Sequence, residues 1–151
     1  MNPALKGNEI AFAGHLAKST FVYDLGNIKN WKFNIYGGEF DSQRNKNINT
    51  TWKGEFSPDE VVYHLEGSFG LVWDGADAND IRSNRFGDYM RYNNPFKFSL
   101  YLAAGLPVIA PASAAIAKTI EKYNLGFLIN SLADLNNIVI SDSEYDTMKK
   151  K

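Results

Sequence analysis

The chain has 151 residues and a formal net charge of −1; 44% of its residues are hydrophobic and 22% are charged. These values are typical of one globular domain with its own core, and the near-zero charge gives no basic surface for nucleic acid. The absence of cysteine excludes disulfides and thiolate metal sites and is typical of the reducing cytoplasm.

The first residues do not have the pattern of a targeting segment. MNPALKGNEIAFAG has neither the charged start nor the apolar block of a signal peptide. No apolar run approaches the roughly 18 residues that a membrane span needs. We therefore expect a cytoplasmic protein in which residues 1–151 form a single domain.

Six short apolar runs predict buried strands in chain order. Several of these runs are apolar throughout instead of alternating, as in parallel strands that helices cover on both faces. The runs are Glu9–Ala13, Lys32–Tyr36, Asn49–Lys53, Phe69–Trp73, Pro107–Ala110 and Phe127–Asn130.

Helix-start signals lie between most of these strands. The serines at the predicted starts are Ser19, Ser57, Ser113, Ser131 and Ser141, and an acidic residue follows three positions after Ser57, Ser131 and Ser141. The alternation of strands and helices predicts an α/β fold, a Rossmann-like, three-layer domain with a mostly parallel sheet of about six strands.

Two polar segments without periodicity are predicted as loops, Gly37–Asn47 and Asp74–Asn93. Asp74, Asp77 and Asp80 lie in the second loop, but they have neither the spacing nor the glycine of an EF-hand. We therefore expect no metal site there. The chain also has no dinucleotide-binding, P-loop or serine-hydrolase motif.

The segment RYNNPFKFSLYLAAGLPVIAP has the clearest helix boundaries in the chain. Asn94 is suited to the N-cap and Pro95 to the first helical position. Gly105, followed by Pro107, ends the predicted helix. Lys97 then lies in the first turn, where its charge opposes the positive end of the helix dipole.

A bound anion would remove that conflict. Helix N–H groups, the dipole and the Lys97 ammonium together make a suitable diphosphate site, and ligands of open α/β sheets bind at the carboxyl ends of the strands. The alternative is that Lys97 extends into solvent, at a cost of roughly a few tenths of a kcal/mol. Both interpretations stay open on the residues alone.

The same segment resembles the nucleotide-sugar-binding half of a group of bacterial GT-B glycosyltransferases, whose pattern is similar to Y-x-N-P-x-K-x-S-x-Y-L-A-A-G-L-P-V-I. The group contains streptococcal and lactobacillar enzymes that extend glycans on serine-rich adhesins, and relatives described as galactofuranosyltransferases. Looser similarity in FAGHLAKS, NIYGG, WKGEFSPDEV and FGLVWDG extends the resemblance over most of the chain. The central pattern is supplied by Tyr92, Asn94, Pro95, Lys97, Ser99 and Tyr101–Ile109.

The resemblance implies that the start of this helix holds the donor. Lys97 would neutralise the diphosphate of a UDP-sugar, and the amide groups at Asn94–Lys97 would surround it, with Pro95 at the first helical position. Tyr92 and Asn93, just before the helix, would border the nucleotide or the sugar.

Residues at the other strand ends would complete the donor site. Gly14 would let the phosphates approach the backbone, and Lys18 is a candidate second cation. His15 would contact a phosphate or the transferred sugar, with an ordinary polar loop residue as the alternative. The turn at Tyr36, Gly37 and Gly38, and the end of the Phe69–Asp74 strand with Asp74, would flank the base and the ribose.

The resemblance also implies the reaction. A hexosyl group would pass from the UDP-sugar to a glycan or glycoprotein acceptor, and the helix N-terminus with Lys97 would stabilise the leaving diphosphate without a metal or other cofactor. A GT-B enzyme has two Rossmann-like domains. We therefore expect this chain to be the C-terminal half, to need an N-terminal acceptor-binding domain, and to have little activity alone. A homo-oligomer is a further expectation.

The competing interpretation is a non-catalytic nucleotide-binding or regulatory α/β partner domain. A phospho-receiver needs clustered acids after the first strand, where this chain has Gly14 and His15. A non-catalytic subunit with the same fold stays open.

Phe98 and Tyr101 lie on the motif helix, and either is a candidate to face the missing N-terminal domain of a GT-B enzyme.

Overall fold

The computed structural model describes residues 9–17, 19–73, 96–114, 116–138 and 140–149. Within these ranges six strands form one sheet in which every neighbouring pair is parallel. The predicted α/β, Rossmann-like fold is thereby confirmed. The strands are β1 (Glu9–Ala13), β2 (Lys32–Tyr36), β3 (Thr50–Gly54), β4 (Phe69–Leu71), β5 (Val108–Pro111) and β6 (Gly126–Ile129).

The strand order is β3-β2-β1-β4-β5-β6. β2 and β3 therefore lie on one side of β1, and β4, β5 and β6 follow in order on its other side. β1 pairs with β2 over five residues, whereas its direct pairs with β4 are Ile10↔Phe69 and Ala11↔Gly70. Ligands of open α/β sheets bind at the carboxyl ends of the two strands where the order reverses, here β1 and β4.

The described residues also form four α-helices and two 3₁₀ segments. The α-helices are α1 (Pro58–Val61), α2 (Phe96–Ala103), α3 (Ala117–Tyr123) and α4 (Asp142–Lys149), and the 3₁₀ segments are η1 (Thr20–Asn27) and η2 (Leu132–Asn137). η2 and α4 follow the last strand, and the others lie between strands. The predicted starts at Ser57, Ser131 and Ser141 precede α1, η2 and α4 directly. The end of α2 at Gly105 is also confirmed, because Gly105 has a φ of +81° and the Leu106 N–H donates to the Tyr101 carbonyl.

The boundaries of α3 differ from the prediction. Turns that follow Pro111 delay the start from Ser113 to Ala117, since the Ala114 N–H donates to the Pro111 carbonyl. At the other end Asn124 takes the left-handed conformation, with a φ of 53°. Gly126 instead begins β6, where a β-carbon would collide with the backbone of Val108.

The core lies on both sides of the sheet and is largely aromatic at its centre. Phe12, Phe33 and Phe69 are fully buried, as is Trp73 beyond the end of β4, whereas Trp52 on edge strand β3 is 46% exposed. α4 packs at the amino end of β4, with the rings of Tyr145 and Phe69 5.3 Å apart in an edge-to-face pair. α4 therefore covers the amino end of β4, at the edge of the sheet opposite the carboxyl ends of the strands.

Candidate functional site

A cleft of about 220 Å³ lies at the carboxyl ends of β1 and β2, beside the first turns of α2. β1 is one of the two strands at which the strand order reverses, but no described residue of β4 lines the cleft. Most of the lining is apolar, and Lys97 is the one charged side chain among the described residues that line it. The lining residues are Ala13, Gly14, Tyr36, Gly37, Phe56, Val61, Lys97 and Leu100.

Two glycine turns form one side of the cleft. The Gly14 N–H donates to the Tyr36 carbonyl at 3.0 Å, and the Gly37 N–H donates to the Gly54 carbonyl at 2.9 Å. Gly37 has a φ of +146°, and a β-carbon there would collide with the Gly14 carbonyl oxygen. The turns after β1 and β2 therefore pack against each other so closely that their backbone is presented to the cleft.

Lys97 lies in the first turn of α2, as predicted, and its side chain is half-buried. Its Cε would be 3.1 Å from a β-carbon built on Gly14, and its Nζ is 5.5 Å from the centroid of the Phe12 ring. The aliphatic stem therefore lies over the end of β1, and the ammonium is within cation–π range of a buried ring. The structure brings together Lys97, Gly14 and Gly37.

Tyr101 was expected to be a candidate to face another domain, and that expectation is wrong. The residue is fully buried; its hydroxyl donates to the Leu71 carbonyl at 2.8 Å and accepts from the Ala13 N–H at 3.1 Å. Gly70 makes this possible, because a β-carbon on Gly70 would collide with the Tyr101 ring. Tyr101 thus joins the ends of β1 and β4 below the cleft.

Phe56 and Tyr36 form an aromatic wall on the side of the cleft away from α2. Phe56 stacks on His64 with ring centroids 4.0 Å apart and planes 11° apart. The Tyr36 hydroxyl donates to the His64 carbonyl at 3.0 Å and accepts from the Glu66 N–H at 2.8 Å. These two backbone hydrogen bonds hold the Tyr36 ring in one orientation, and burial raises the pKa of its hydroxyl to about 12.

His15 lies at the rim, next to Gly14, and is exposed. Its Nε2 is 3.4 Å from Oε2 of Glu39, whose backbone takes the left-handed conformation with a φ of 63°. Trp52 borders the same rim, since its Nε1–H donates to the Gly37 carbonyl at 2.9 Å. His15 is not among the cleft-lining residues, and its contact with a phosphate or sugar stays a prediction.

The other residues assigned to the site from the sequence lie outside the described residues. Their predicted roles in holding the diphosphate, the nucleotide and the sugar therefore stay predictions. They are Lys18, Asp74, Tyr92, Asn93, Asn94 and Pro95.

The described part of the chain has no ready-made metal centre, because nowhere in it do three or more histidine, aspartate or glutamate side chains group closely enough to hold an ion. The groups in this cleft that suit an anion are the Lys97 ammonium and the start of α2. None of the helices in the described ranges combines the length and the apolar character needed to cross a membrane.

Sequence reasoning missed Phe56, Val61 and Leu100 as lining residues and Tyr101 as a residue below the site. Phe56 and Val61 lie within or beside the WKGEFSPDEV segment, whose similarity to the GT-B pattern was the available signal. The facing direction of Leu100 and Tyr101 depends on how α2 packs on the sheet, which the helical period of one segment does not determine.

Most of the chain is similar in sequence to known glycosyltransferases. Residues 10–151 match the family model described as glucosyltransferase 3-like, C-terminal domain. The chain is 34% identical over 139 residues to the beta-1,6-galactofuranosyltransferase WbbI of Escherichia coli (strain K12). The aligned region covers 90% of this chain and 40% of that protein. It is 31% identical over 147 residues to glucosyltransferase 3 of Streptococcus gordonii, covering 93% of this chain and 42% of that protein.

Glucosyltransferase 3 of Streptococcus parasanguinis is 29% identical over 154 residues, covering 99% of this chain and 42% of that protein. In each case the chain spans about two fifths of the length of the relative it matches. The resemblance inferred from the central motif is confirmed by these matches.

Proposed function

Because the chain belongs to the family of glucosyltransferase 3-like C-terminal domains, we propose that it binds the UDP-sugar donor of a glycosyltransferase. The enzyme would transfer a hexosyl group to a glycan or glycoprotein acceptor, since glucosyl and galactofuranosyl transfer are both named among its relatives. The observation that carries the proposal is the position of Lys97, half-buried against Gly14 at the reversal of strand order.

The polar end of the cleft takes the diphosphate. The Lys97 ammonium and the first turn of α2 present positive charge and N–H dipoles to it. Gly14 and Gly37, whose own N–H groups donate to the Tyr36 and Gly54 carbonyls, leave room for the phosphates because they carry no side chains. In the transfer, the bond between the sugar carbon and the β-phosphate oxygen breaks, a bond to an acceptor oxygen forms, and the acceptor loses a proton. Charge that develops on the departing UDP is stabilised by these fixed groups, so the proposal needs no metal ion.

The apolar end of the cleft takes the uracil base and the ribose. Phe56, Tyr36 and Val61 form a largely apolar surface there, and stacking on His64 together with two backbone hydrogen bonds to the Tyr36 hydroxyl fixes its shape. Such a preformed apolar wall next to a few polar groups is typical of sites for planar ligands.

The rest of the enzyme would supply the acceptor site. The relatives are about two and a half times as long as the matched region, so we assign acceptor binding to an N-terminal GT-B domain and expect little transfer by this domain alone. We place the reaction in the cytoplasm, in accord with a chain that lacks cysteine. A homo-oligomer of the enzyme is part of the same proposal.

One observation favours a second candidate, a non-catalytic nucleotide-binding or regulatory partner domain. None of the described residues lining the cleft is an aspartate, glutamate or histidine that could remove a proton from an acceptor. A domain that only binds nucleotide would have the same lining. Transfer by a chimera of this chain with the N-terminal part of the Streptococcus gordonii relative would favour the enzyme, and donor binding without transfer would favour the partner domain.

The proposal is tested by calorimetric titration with UDP. Lys97→Gln keeps the aliphatic stem over Gly14 and removes the charge, and Lys118→Gln removes an exposed charge on α3 as a matched control. We expect saturable binding by the native chain, weakening of about tenfold or more in Lys97→Gln, and a change within about twofold in Lys118→Gln. Absence of binding by the folded chain, or equal binding by both variants, would contradict the proposal.

A further inference from the structure

The hydroxyl of Tyr101 lies between the two strands that diverge at the cleft, and we propose that Tyr101 is a positioning residue that holds Lys97 at the diphosphate site. This inference rests on the proposed function, because it takes Lys97 to be the cation of that site. Tyr101 does not line the cleft and acts through the placement of α2.

The first step is the bridge between strands. Direct pairing of β1 with β4 ends at Ala11↔Gly70. Two residues further along β1, the Ala13 N–H donates to the Tyr101 hydroxyl at 3.1 Å, and that hydroxyl donates to the Leu71 carbonyl at 2.8 Å. The hydroxyl thus satisfies one backbone group from each strand where the ladder has ended, so the strands diverge without leaving these groups unpaired.

The second step is the spacing along α2. Lys97 and Tyr101 are one helical turn apart and share a face of the helix. Tyr101 contacts the backbone of Ala13, and Lys97 lies over the next residue, Gly14. Two successive turns of α2 therefore contact Ala13 and Gly14 at the end of β1, and any shift of the helix moves both contacts.

The third step is the fixed position of the ring. Tyr101 is fully buried, and Gly70 leaves it the space that a side chain would fill. A phenylalanine at this position would fill the same space but leave the Ala13 N–H and the Leu71 carbonyl unpaired in a buried place. Direct pairing of these two groups would require β1 and β4 to close on each other, and this closure would move α2 and with it Lys97.

The placement of Lys97 can be measured without a ligand by NMR. In the native chain we expect nuclear Overhauser contacts between the Lys97 ε-protons and the Phe12 ring, whose centroid is 5.5 Å from Nζ. Tyr101→Phe should weaken these contacts. The matched control Tyr145→Phe removes the hydroxyl of another buried tyrosine at the amino end of β4 and should retain them. Unchanged contacts in Tyr101→Phe, or equal loss in both variants, would overturn the inference.

The functional consequence is measured by titrating with UDP and with uridine, which has no phosphate. Tyr101→Phe should weaken UDP binding by about fivefold or more and change uridine binding by less than about twofold. The double variant Tyr101→Phe/Lys97→Gln should bind UDP no more weakly than Lys97→Gln, because the hydroxyl acts through the lysine. Native UDP binding by Tyr101→Phe, or independent losses that multiply, would refute the inference.

The two proposals fail in different ways. Native UDP binding by Lys97→Gln would refute the proposed function, while the Lys97–Phe12 contacts would still decide whether Tyr101 positions Lys97. Weak binding by Lys97→Gln together with native binding by Tyr101→Phe would refute only the inference about Tyr101.

Discussion

The carbonyl oxygen of Gly14 occupies the space that a side chain on Gly37 would need. Gly14 directly follows β1, and Gly37 directly follows β2. The φ of +146° at Gly37 is itself one that side chains rarely tolerate. The backbone that faces the cleft therefore depends on a glycine at position 37 for both steric and conformational reasons.

Gly37→Ala should lower the free energy of unfolding by about 1–3 kcal/mol and weaken UDP binding, because the β1 and β2 turns must move apart. Gly38→Ala is the matched control. Its β-carbon would contact the carboxylate of Glu55, the end of an exposed side chain that can move away. Urea unfolding of both variants checks the prediction, and an equal, small loss in both would show that the two turns are not tightly packed.

Gly70→Ala should be destabilising by about 1–3 kcal/mol, because the added methyl group displaces the buried ring of Tyr101. It should also weaken UDP binding. Gly105→Ala adds a methyl group with no atom within 4 Å, so only the φ of +81° opposes it, at about 1 kcal/mol. Thermal unfolding and UDP titration measure both effects; weakened UDP binding in Gly105→Ala and not in Gly70→Ala would contradict this explanation.

The stability of the fold should fall as the pH rises above about 10. Burial raises the pKa of Tyr36 from 10.0 to about 12, so the unfolded chain releases this proton first and unfolding is favoured between those values. Burial also raises the pKa of Tyr145, which acts in the same direction. Urea unfolding at about pH 8, 10 and 11.5 should show a shallower decline in Tyr36→Phe than in the native chain. An equal decline would mean that Tyr36 ionises normally.

Asp134 stabilises the start of η2. Its Oδ2 accepts the Asn130 N–H at 2.9 Å and the Ser131 N–H at 3.1 Å. Asp134→Ala should therefore cost about 1–2 kcal/mol of stability while UDP binding stays unchanged, because η2 does not line the cleft. Asp142→Ala, an exposed acid in the first turn of α4, should cost less than about 0.5 kcal/mol. Chemical denaturation separates the two, and equal losses would argue against the Asp134 bonds.

The sequence predicted the strands well where burial alone defines them. Glu9–Ala13 and Lys32–Tyr36 have the bounds expected from their apolar runs. β4 was predicted to extend to Trp73, and the pattern was misleading there: Val72 and Trp73 are buried, yet the strand ends at Leu71. Direct pairing with β1 has ended by then, although the Val72 N–H still donates to the Ile109 carbonyl of β5. An apolar run reports burial, and it does not show where the pairing on one side of a strand stops.

The polar loop at Gly37–Asn47 was also predicted, but its internal order was not. Asn45, Asn47 and Asn49 each donate a side-chain amide hydrogen bond to a backbone carbonyl, while the intervening Lys46 and Ile48 are exposed. Asparagine is common in loops for several reasons, so its alternation here could not be interpreted before the partners were known.

The candidate site was predictable to the extent that local signals fix it. A helix-start pattern placed Lys97 in the first turn of α2, and the resemblance to GT-B glycosyltransferases indicated Gly14 and Gly37. Phe56 and Tyr101 could not be found in this way, because a stack on His64 and a bridge between two strands are tertiary contacts.

Mapping of UDP binding by two-dimensional ¹H–¹⁵N NMR tests the central claim most directly. If the cleft between the glycine turns and α2 is the donor site, the largest saturable amide shifts should fall on Gly14, Gly37, Phe56 and Lys97. A separate cavity, lined by residues that include Asn124, Phe127 and Thr147, should show little change in its amide signals. Shifts that cluster around that cavity, or no saturable shifts in a well-folded spectrum, would contradict the account.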